Sequence, residues 1–592
     1  MAQNQIASDA SLRNSSEHRF STWDGTELFY RVWEPQSPSR QALVLLHRGH
    51  EHSGRFQDFV DRLDLGDFWI FAWDARGHGH SPGERGYAPS FGSIVRDLDR
   101  FVSHLGECYD VPTENIAIVA NSIGAVVAST WVHDYAPPIR GMVLATPAFR
   151  VKLYVPLAVP GLRVLHRVKP KSFVKSYVKP AMLTHDADMI REIAEDPLIS
   201  DSIAVNILLE MHDASTRILD DASAIQTPTL VLSAGSDWVV KQSAQRRFFE
   251  GLSSQTKEMV EYQAFSHAVL HELERARPIA KIREFIVNLY ERPSTLPSLL
   301  RADADGAAKR AADRLREPLS PFSPRGMYYR ATKLVLKTVG RLSQGIRVGW
   351  RTGFNSGESL DHVYRNQAVG TTPLGRLVDR IYLNSPGWSG VRQRRRQLEE
   401  LLEHAIQQTH AQGRSIRLLD VAAGPGRYVL DVATRFKELE ISAVLRDQNP
   451  DALNIGRQLA SERNLSNITF EVGDAFDEQT LATIQPRPTI AIASGLYELF
   501  SDNTTVAASL NGIGQAIEND GYLIYTNQPW HPQLELIARA LIGMDGEPWI
   551  MRCRTQLELD QLVAAAGFQK IEMLIDDQGI FTVSLARRIP RS

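Results

Sequence analysis

Residues 116–124, IAIVANSIG, run from an apolar strand candidate, Ile116–Ala120, directly into a turn with Ser122 at its apex. AVVASTWVHDY (125–135) follows with helical character. Strand, sharp turn and helix with a serine between them form a nucleophile elbow, which lifts the hydroxyl above the edge of a parallel sheet. Only small residues tolerate the cramped turn. Ala120 and Gly124 meet that need, with Ala120 where the G-x-S-x-G pattern has its first glycine.

A serine hydroxyl needs a base, and the base needs a carboxylate to orient it. Downstream, TLVLSAGSD (229–237) is an apolar strand ending in a turn that carries Asp237. FSHAVLHE (265–272) then presents His267 just before a helix. The order Ser122, Asp237, His267 predicts a triad in which Asp237 holds the imidazole and His267 takes and returns the serine proton. Upstream, LLHRGHEHSGR (45–55) follows an early strand, where a backbone amide completes an oxyanion hole. Gly49 and Ile123 are the expected donors. His47, His50, His52, His78, His80 and His271 lack metal-ligand spacing on any one element, so no metal is expected. Glu51 and Arg55 read as an ion pair fixing the loop.

Around this constellation, the strand candidates are Ala42–Leu46, Trp69–Trp73, Gly141–Ala145 and Thr229–Ser233. A second α/β series occupies the C-terminal half, with candidates Ile416–Val421, Ser442–Leu445, Ile468–Val472, Thr489–Ala493, Tyr522–Tyr525 and Phe581–Leu585. A chain of 592 residues exceeds what one core serves. The expected division is a tail (1–17), a first domain (18–291) with a cap at about 148–222, a linker with a basic amphipathic segment and one short helix (292–354), and a second domain (355–592).

The net charge of −3 argues against bulk nucleic-acid binding. Two distant cysteines, no signal-peptide core and no long apolar run point to the cytoplasm. Two stretches are locally basic. Arg150–Lys179 holds eight Lys or Arg and no acid, and Arg325–Arg351 holds seven and no acid. Both are interleaved with apolar residues, so each is either an ordinary solvated helix face or a surface drawn to anionic lipid or acidic substrates. The second alternative implies peripheral contact with the inner membrane face.

In the second half, IRLLDVAAGPGRY (416–428) runs from strand to glycine-bearing turn to helix, where a ligand can approach the backbone. Val429 stands where a dinucleotide site has its third glycine, which weakens an NAD reading. Asp447 follows the next strand, where an acid can hold ribose hydroxyls, and Asp474 follows the third. Arg392, Arg394, Arg395 and Arg396 read as a solvated helix face. Tyr364, Asn366, Tyr497, Trp530 and His531 are candidate pocket residues without assigned roles.

HRGHEHSGRF, WDARGHGHSPGERGY, VANSIGA, LSAGSDWVV and SHAVLHE together resemble the monoacylglycerol lipase and lysophospholipase group of α/β-hydrolases, a serine aminopeptidase-like family, over residues 18–291. The resemblance implies an α/β-hydrolase fold with a cap and cleavage of acyl-lipid esters through an acyl-enzyme. Its oxyanion loop reads His-Gly-x-Gly, so Arg48 and His50 depart from it. The second series resembles Rossmann-like class I S-adenosylmethionine-dependent methyltransferases over 355–589, and DHVYRNQAVG with DRIYLNSPGWSGVRQRRRQLEELL resembles a class of methyltransferases of unknown substrate. That likeness implies S-adenosylmethionine as cofactor, with Gly424 and Gly426 under its methionine part, Asp447 on the ribose, Asp474 on the adenine amino group and Asp420 also in the cofactor site. The fusion itself resembles bacterial proteins joining a hydrolase to a methyltransferase. Two rival readings stay open: a peptidase or amide hydrolase on the same triad, and a second domain that only binds a ligand or serves as a scaffold.

Overall fold

The computed structural model describes residues 13–293, 296–370 and 372–590. The chain divides into two units, Met1–Pro297 and Ser298–Ser592.

The first unit is an eight-stranded sheet flanked by helices, an α/β-hydrolase fold. Its strands in chain order are β1 (Ser15–Ser21), β2 (Glu27–Trp33), β3 (Ala42–Leu46), β4 (Trp69–Trp73), β5 (Ile116–Asn121) and β6 (Gly141–Ala145). A cap follows, with the short pair β7 (Phe173–Lys175) and β8 (Ser202–Ala204) and helices Ala158–Val168, Ala187–Glu195 and Val205–Asp220. The core resumes with β9 (Thr229–Ala234) and β10 (Lys257–Tyr262), giving the sheet order β1-β2-β4-β3-β5-β6-β9-β10. From β4 to β10 every pairing is parallel. The central strands β3, β5, β6 and β9 are buried at every position, as a sheet covered on both faces requires.

The second unit is built on β11 (Ile416–Asp420), β12 (Ile441–Asp447), β13 (Ile468–Val472), β14 (Ile490–Ala493), β15 (Tyr522–Asn527), β16 (Phe568–Ile575) and β17 (Thr582–Arg588). The order is β13-β12-β11-β14-β15-β17-β16, parallel except that β17 runs antiparallel to both neighbours. Strand order reverses between β11 and β14, which opens a crevice at the carboxyl ends of the strands.

Two expected boundaries differ. Only residues 1–12 of the expected tail fall outside the described residues, because β1 begins at Ser15. The Arg13 guanidinium donates to the carbonyls of Leu65, Trp33 and Phe68, tying the chain down ahead of it. The expected linker is mostly part of the second unit. Its described residues form helices Ala302–Asp305, Ala307–Arg316, Pro324–Lys337 and Gln344–Thr352. Ala312 is buried there, and Arg539 donates to the carbonyls of Arg314 and Glu317, closing a helix end. Short side chains and alternating charge conceal this packing, since small buried alanines carry little hydrophobic signal.

Among the described residues, no helix is long and apolar enough to cross a membrane.

Candidate active sites

Ser122 sits between β5 and helix Ile123–Tyr135 with φ 54° and ψ −109°, a conformation that non-glycine residues rarely adopt. The turn explains its neighbour: a Cβ at Gly124 would lie 2.5 Å from the His47 carbonyl oxygen, so only glycine fits. Ser122, Asp237 and His267, from three separate segments, are all buried. Ser122 Oγ lies 2.8 Å from His267 Nε2, and His267 Nδ1 lies 2.8 Å from Asp237 Oδ2. Read as a network, Nδ1–H donates to Asp237 and Nε2 accepts the serine proton. The other Asp237 oxygen accepts from the Val239 and Val240 amides at 2.7 and 2.9 Å. Burial alone would raise this carboxyl, but the facing imidazole and the two amides hold it below its usual range.

Gly49 and Ile123, the expected amide donors, lie side by side. A Cβ on Gly49 would meet Ile123 Cδ1 at 2.6 Å. Ile123 is the first residue of its helix, where amides lack intrahelical acceptors. A small cavity of about 40 Å³ lies beside the pair, walled by Trp73, Ile94, Val127, Ile203 and Ile207 and by His47, Arg48, Arg76 and His78.

Of the two departures in the loop, Arg48 points into a buried polar layer, while His50 takes a left-handed backbone conformation (φ 71°) and its Nδ1 is buried without a hydrogen-bond partner among the described residues. Arg48 Nε is 2.6 Å from Glu51 Oε2, and both side chains are almost wholly buried. Burial pushes the Glu51 carboxyl up, yet Arg48, with help from His271 and Arg55, brings it down to about 2. Arg55 pairs with Glu192 of the cap at 3.0 Å, and His52 Nε2 pairs with cap Asp196 at 2.9 Å. His47 accepts the Ala75 amide at Nε2. No group of histidines and acids suited to a metal occurs among the described residues.

In the second unit, Asp420 ends β11, Asp447 ends β12 and Asp474 follows β13. Asp447 Oδ2 accepts the Gly424 amide at 2.7 Å, and its Oδ1 accepts the Asn449 amide at 2.9 Å. The Gly473 amide donates to the Asp447 carbonyl at 3.2 Å, so the turn before Asp474 lies against Asp447. Asp474 is exposed, and its Oδ1 accepts the Phe476 amide at 2.9 Å. Gly424 and Gly426 have φ of 53° and 67°. A Cβ on Gly426 would strike Leu445, whereas one on Gly424 would enter open space, room a ligand can use. Asp420 is fully buried and accepts a hydrogen bond from Tyr428. Burial raises its carboxyl to about 7 against the pull of that hydrogen bond.

The expected arginine face is corrected at one position. Arg394 is buried, pairs with Glu498 at 2.5 Å, and stacks its guanidinium 4.9 Å from the Phe581 ring centroid. A 26-residue helix, Pro386–Ala411, turns this one residue inward while Arg396 faces solvent. Arg395 lies over the Tyr364 ring and pairs with Asp431. Glu498, which the sequence reading missed, carries no motif and is picked out only by its buried partner. Tyr497 is not a pocket residue: it is fully buried and its hydroxyl meets Ser509 Oγ at 3.1 Å. Asn366 ends helix Gly357–Arg365 in a left-handed conformation and lines an open groove with Tyr364, Arg392 and Arg396. Trp530 packs against the aromatic cluster of Trp388 and Phe581, and His531, held down to about 4 by burial, accepts the Gln533 amide.

A family model described as "Putative methyltransferase" matches residues 282–588, more than half the chain. The chain belongs to that family. A second model, described as "Serine aminopeptidase, S33", matches residues 37–274. The family relative "Uncharacterized protein YnbC" of Escherichia coli (strain K12) is 48% identical over 97% of this chain and 99% of its own length, so it shares both units. The monoacylglycerol lipase of Mycolicibacterium smegmatis is 25% identical over 46% of this chain and 97% of its own. The crystal structure of Paleococcus ferrophilus monoacylglycerol lipase is 27% identical, covering 44% of this chain and 99% of that one, with a TM-score of 0.41. The chain thus joins an α/β-hydrolase unit, similar to monoacylglycerol lipases, to a domain of the methyltransferase family.

Proposed function

We propose that the first unit hydrolyses acyl esters, of the monoacylglycerol or lysophospholipid class, through an acyl-enzyme on Ser122. The observation that carries this reading is the unbroken hydrogen-bond chain Asp237–His267–Ser122. His267 Nε2 takes the hydroxyl proton as Ser122 Oγ attacks the ester carbonyl. The oxyanion then accepts from the Gly49 and Ile123 amides, each worth about 3 kcal/mol at such a site. His267 returns its proton to the departing alcohol and, in the second half, activates the water that frees the acid. Asp237, kept ionised, stabilises the imidazolium in both halves. The similarity of this unit to monoacylglycerol lipases favours an acyl ester over a peptide.

The cap supports a lipid substrate. Helix Ala158–Val168 buries none of its residues, and Leu157, Val164 and Val168 stand open to solvent among Arg163, Arg167 and Lys169. Such a face suits contact with an anionic membrane surface. A cytoplasmic place on the inner membrane face agrees with Cys108 and Cys553 forming no disulfide.

The second unit is read as a methyltransferase using S-adenosylmethionine. The residues fit that group: Gly424 leaves open room above its turn, and Asp447 stands beside it at the end of the neighbouring strand. The cofactor when bound supplies an electrophilic methyl group. Asp420 and the Gly424–Gly426 turn would hold its amino-acid end, Asp447 its ribose and Asp474 its adenine amino group.

The test compares p-nitrophenyl esters of rising chain length with aminoacyl anilides, beside fluorophosphonate labelling. Ester hydrolysis should dominate, and Ser122→Ala should lose label and about a thousandfold or more in rate. Preference for anilides would replace the esterase reading with the peptidase. Retained labelling in Ser122→Ala would refute the nucleophile.

A further inference from the structure

The second unit carries an exposed face that neither catalytic reading uses. On helix Pro324–Lys337, Met327, Tyr328, Leu334 and Val335 are all exposed, Leu334 by 63%. Their spacing puts them on one side of the helix. On helix Pro373–Leu383, Leu374, Leu377 and Ile381 form a second stripe at i, i+3 and i+7, Ile381 being 65% exposed. The turn Val339–Leu342 joins the two: a Cβ on Gly375 would lie 2.5 Å from the Leu342 carbonyl oxygen, so the second helix rests on that turn, and Val339 is itself exposed. Phe322, 89% exposed, precedes the first helix.

Cations border both stripes. Residues 322–383 hold ten Lys or Arg against three acids, in a chain whose net charge is −3. One of those acids, Asp379, is buried and committed to His362 and Ser343, and another, Glu358, pairs with Arg351. Arg325 is committed to Glu535. Lys333, Arg341, Arg376 and Arg380 make no ion pair among the described residues. By helical spacing, Arg330 and Lys337 flank the first stripe, and Arg376 and Arg380 the second.

We propose that this face docks the second unit onto an anionic bilayer surface, the aliphatic stripes entering the headgroup boundary and the flanking cations meeting lipid phosphates. Two features select this occupant. A second copy would set an excess of cations against the same excess. A nucleic-acid backbone would satisfy the cations and leave Leu374, Leu377 and Ile381 in water, whereas acyl chains cover them. The reading is independent of the assigned chemistry of either unit.

The test uses the full chain and sedimentation with vesicles of phosphatidylcholine alone or mixed with phosphatidylglycerol. It is run on a background carrying Arg167→Glu and Lys169→Glu, which disables the cap face. Binding should require phosphatidylglycerol and weaken with salt. Lys337→Glu with Arg376→Glu and Arg380→Glu should lower affinity by about fivefold or more per cation removed. Leu377→Ser with Ile381→Ser should lower it several-fold at unchanged charge. The substituted positions are exposed, so the thermal unfolding and circular dichroism of the full chain should match the parent and report folding of the second unit. Equal binding to phosphatidylcholine alone, or unchanged binding in both variants, overturns the proposal. So does a concentration-dependent dimer that the serine variants dissolve while vesicle binding persists.

Discussion

Asp447 Oδ2 accepts the Gly424 amide at 2.7 Å, so the acid at the end of β12 also braces the glycine turn after β11. A carboxylate offers about four lone-pair sites, and two amides occupy one on each oxygen here. The remaining sites can take ribose hydroxyls without releasing the turn. Asp447→Ala removes both functions at once. Calorimetry with S-adenosylhomocysteine should show affinity lowered by about tenfold to a hundredfold, as expected for losing hydrogen bonds to a charged acceptor. Parental affinity in the variant would mean that the ligand lies elsewhere, and no binding by the parent would favour a scaffold role for the unit.

The Arg48–Glu51 pair sits in the loop that supplies the Gly49 amide, with both partners buried. Removing one partner leaves an uncompensated buried charge, which costs about 3–5 kcal/mol, whereas removing both costs far less. Glu51→Gln should therefore lower the stability of the first unit by that amount, and Arg48→Met with Glu51→Gln should recover most of it. Denaturant unfolding of the three variants checks this. Additive losses in the double variant would show that the pair is not coupled.

Four of the site residues that the sequence reveals share one physical feature: each lies at or just after the end of an apolar strand, where a polar residue is conspicuous. Ser122, Asp237, Asp420 and Asp447 are all of this kind. Edge strands are harder to read. SSEHRFS in β1 and KEMVEY in β10 are fully buried at one position each, and their polar residues hide the alternation. Arg394 is concealed for another reason. In RQRRRQ, only the phase of a long helix decides which arginine turns inward, and that phase is set by packing against Phe581 and Glu498, far along the chain.

His133, one turn from the end of the nucleophile helix, is fully buried between Asp134 Oδ1 at 2.7 Å and Asp221 Oδ2 at 3.1 Å. Burial alone would lower it, but the two carboxylates raise it to about 9 from an ordinary 6.5. A raised imidazole contributes stability that is complete below about pH 6.5 and is lost as pH climbs through about 9. That loss is worth about 3 kcal/mol. Urea unfolding of the first unit between pH 6 and 10 should show the decline, and His133→Gln should flatten it. An equal decline in the variant would assign the effect to other groups.

Asp420 gives the opposite dependence, read out in binding rather than in folding. Its carboxyl is raised to about 7 because it is fully buried and has only Tyr428 and a backbone amide to stabilise its charge. Below that pH it is largely neutral, and above it the site gains a negative charge beside the glycine turn. S-adenosylmethionine is a sulfonium cation with an ammonium group, so it should bind the ionised form better and draw the proton off as it binds. Affinity should rise with pH through about 7, by up to about tenfold per pH unit on the acidic side, because one proton is displaced. Titration calorimetry at pH 6 and 8 in two buffers of different ionisation enthalpy measures both the affinity and the proton released. Asp420→Asn should abolish the slope and the proton release together. A parental protein that binds equally at both pH values, with no proton uptake or release, would show that Asp420 is a structural acid sealed under Tyr428 and not part of the cofactor site.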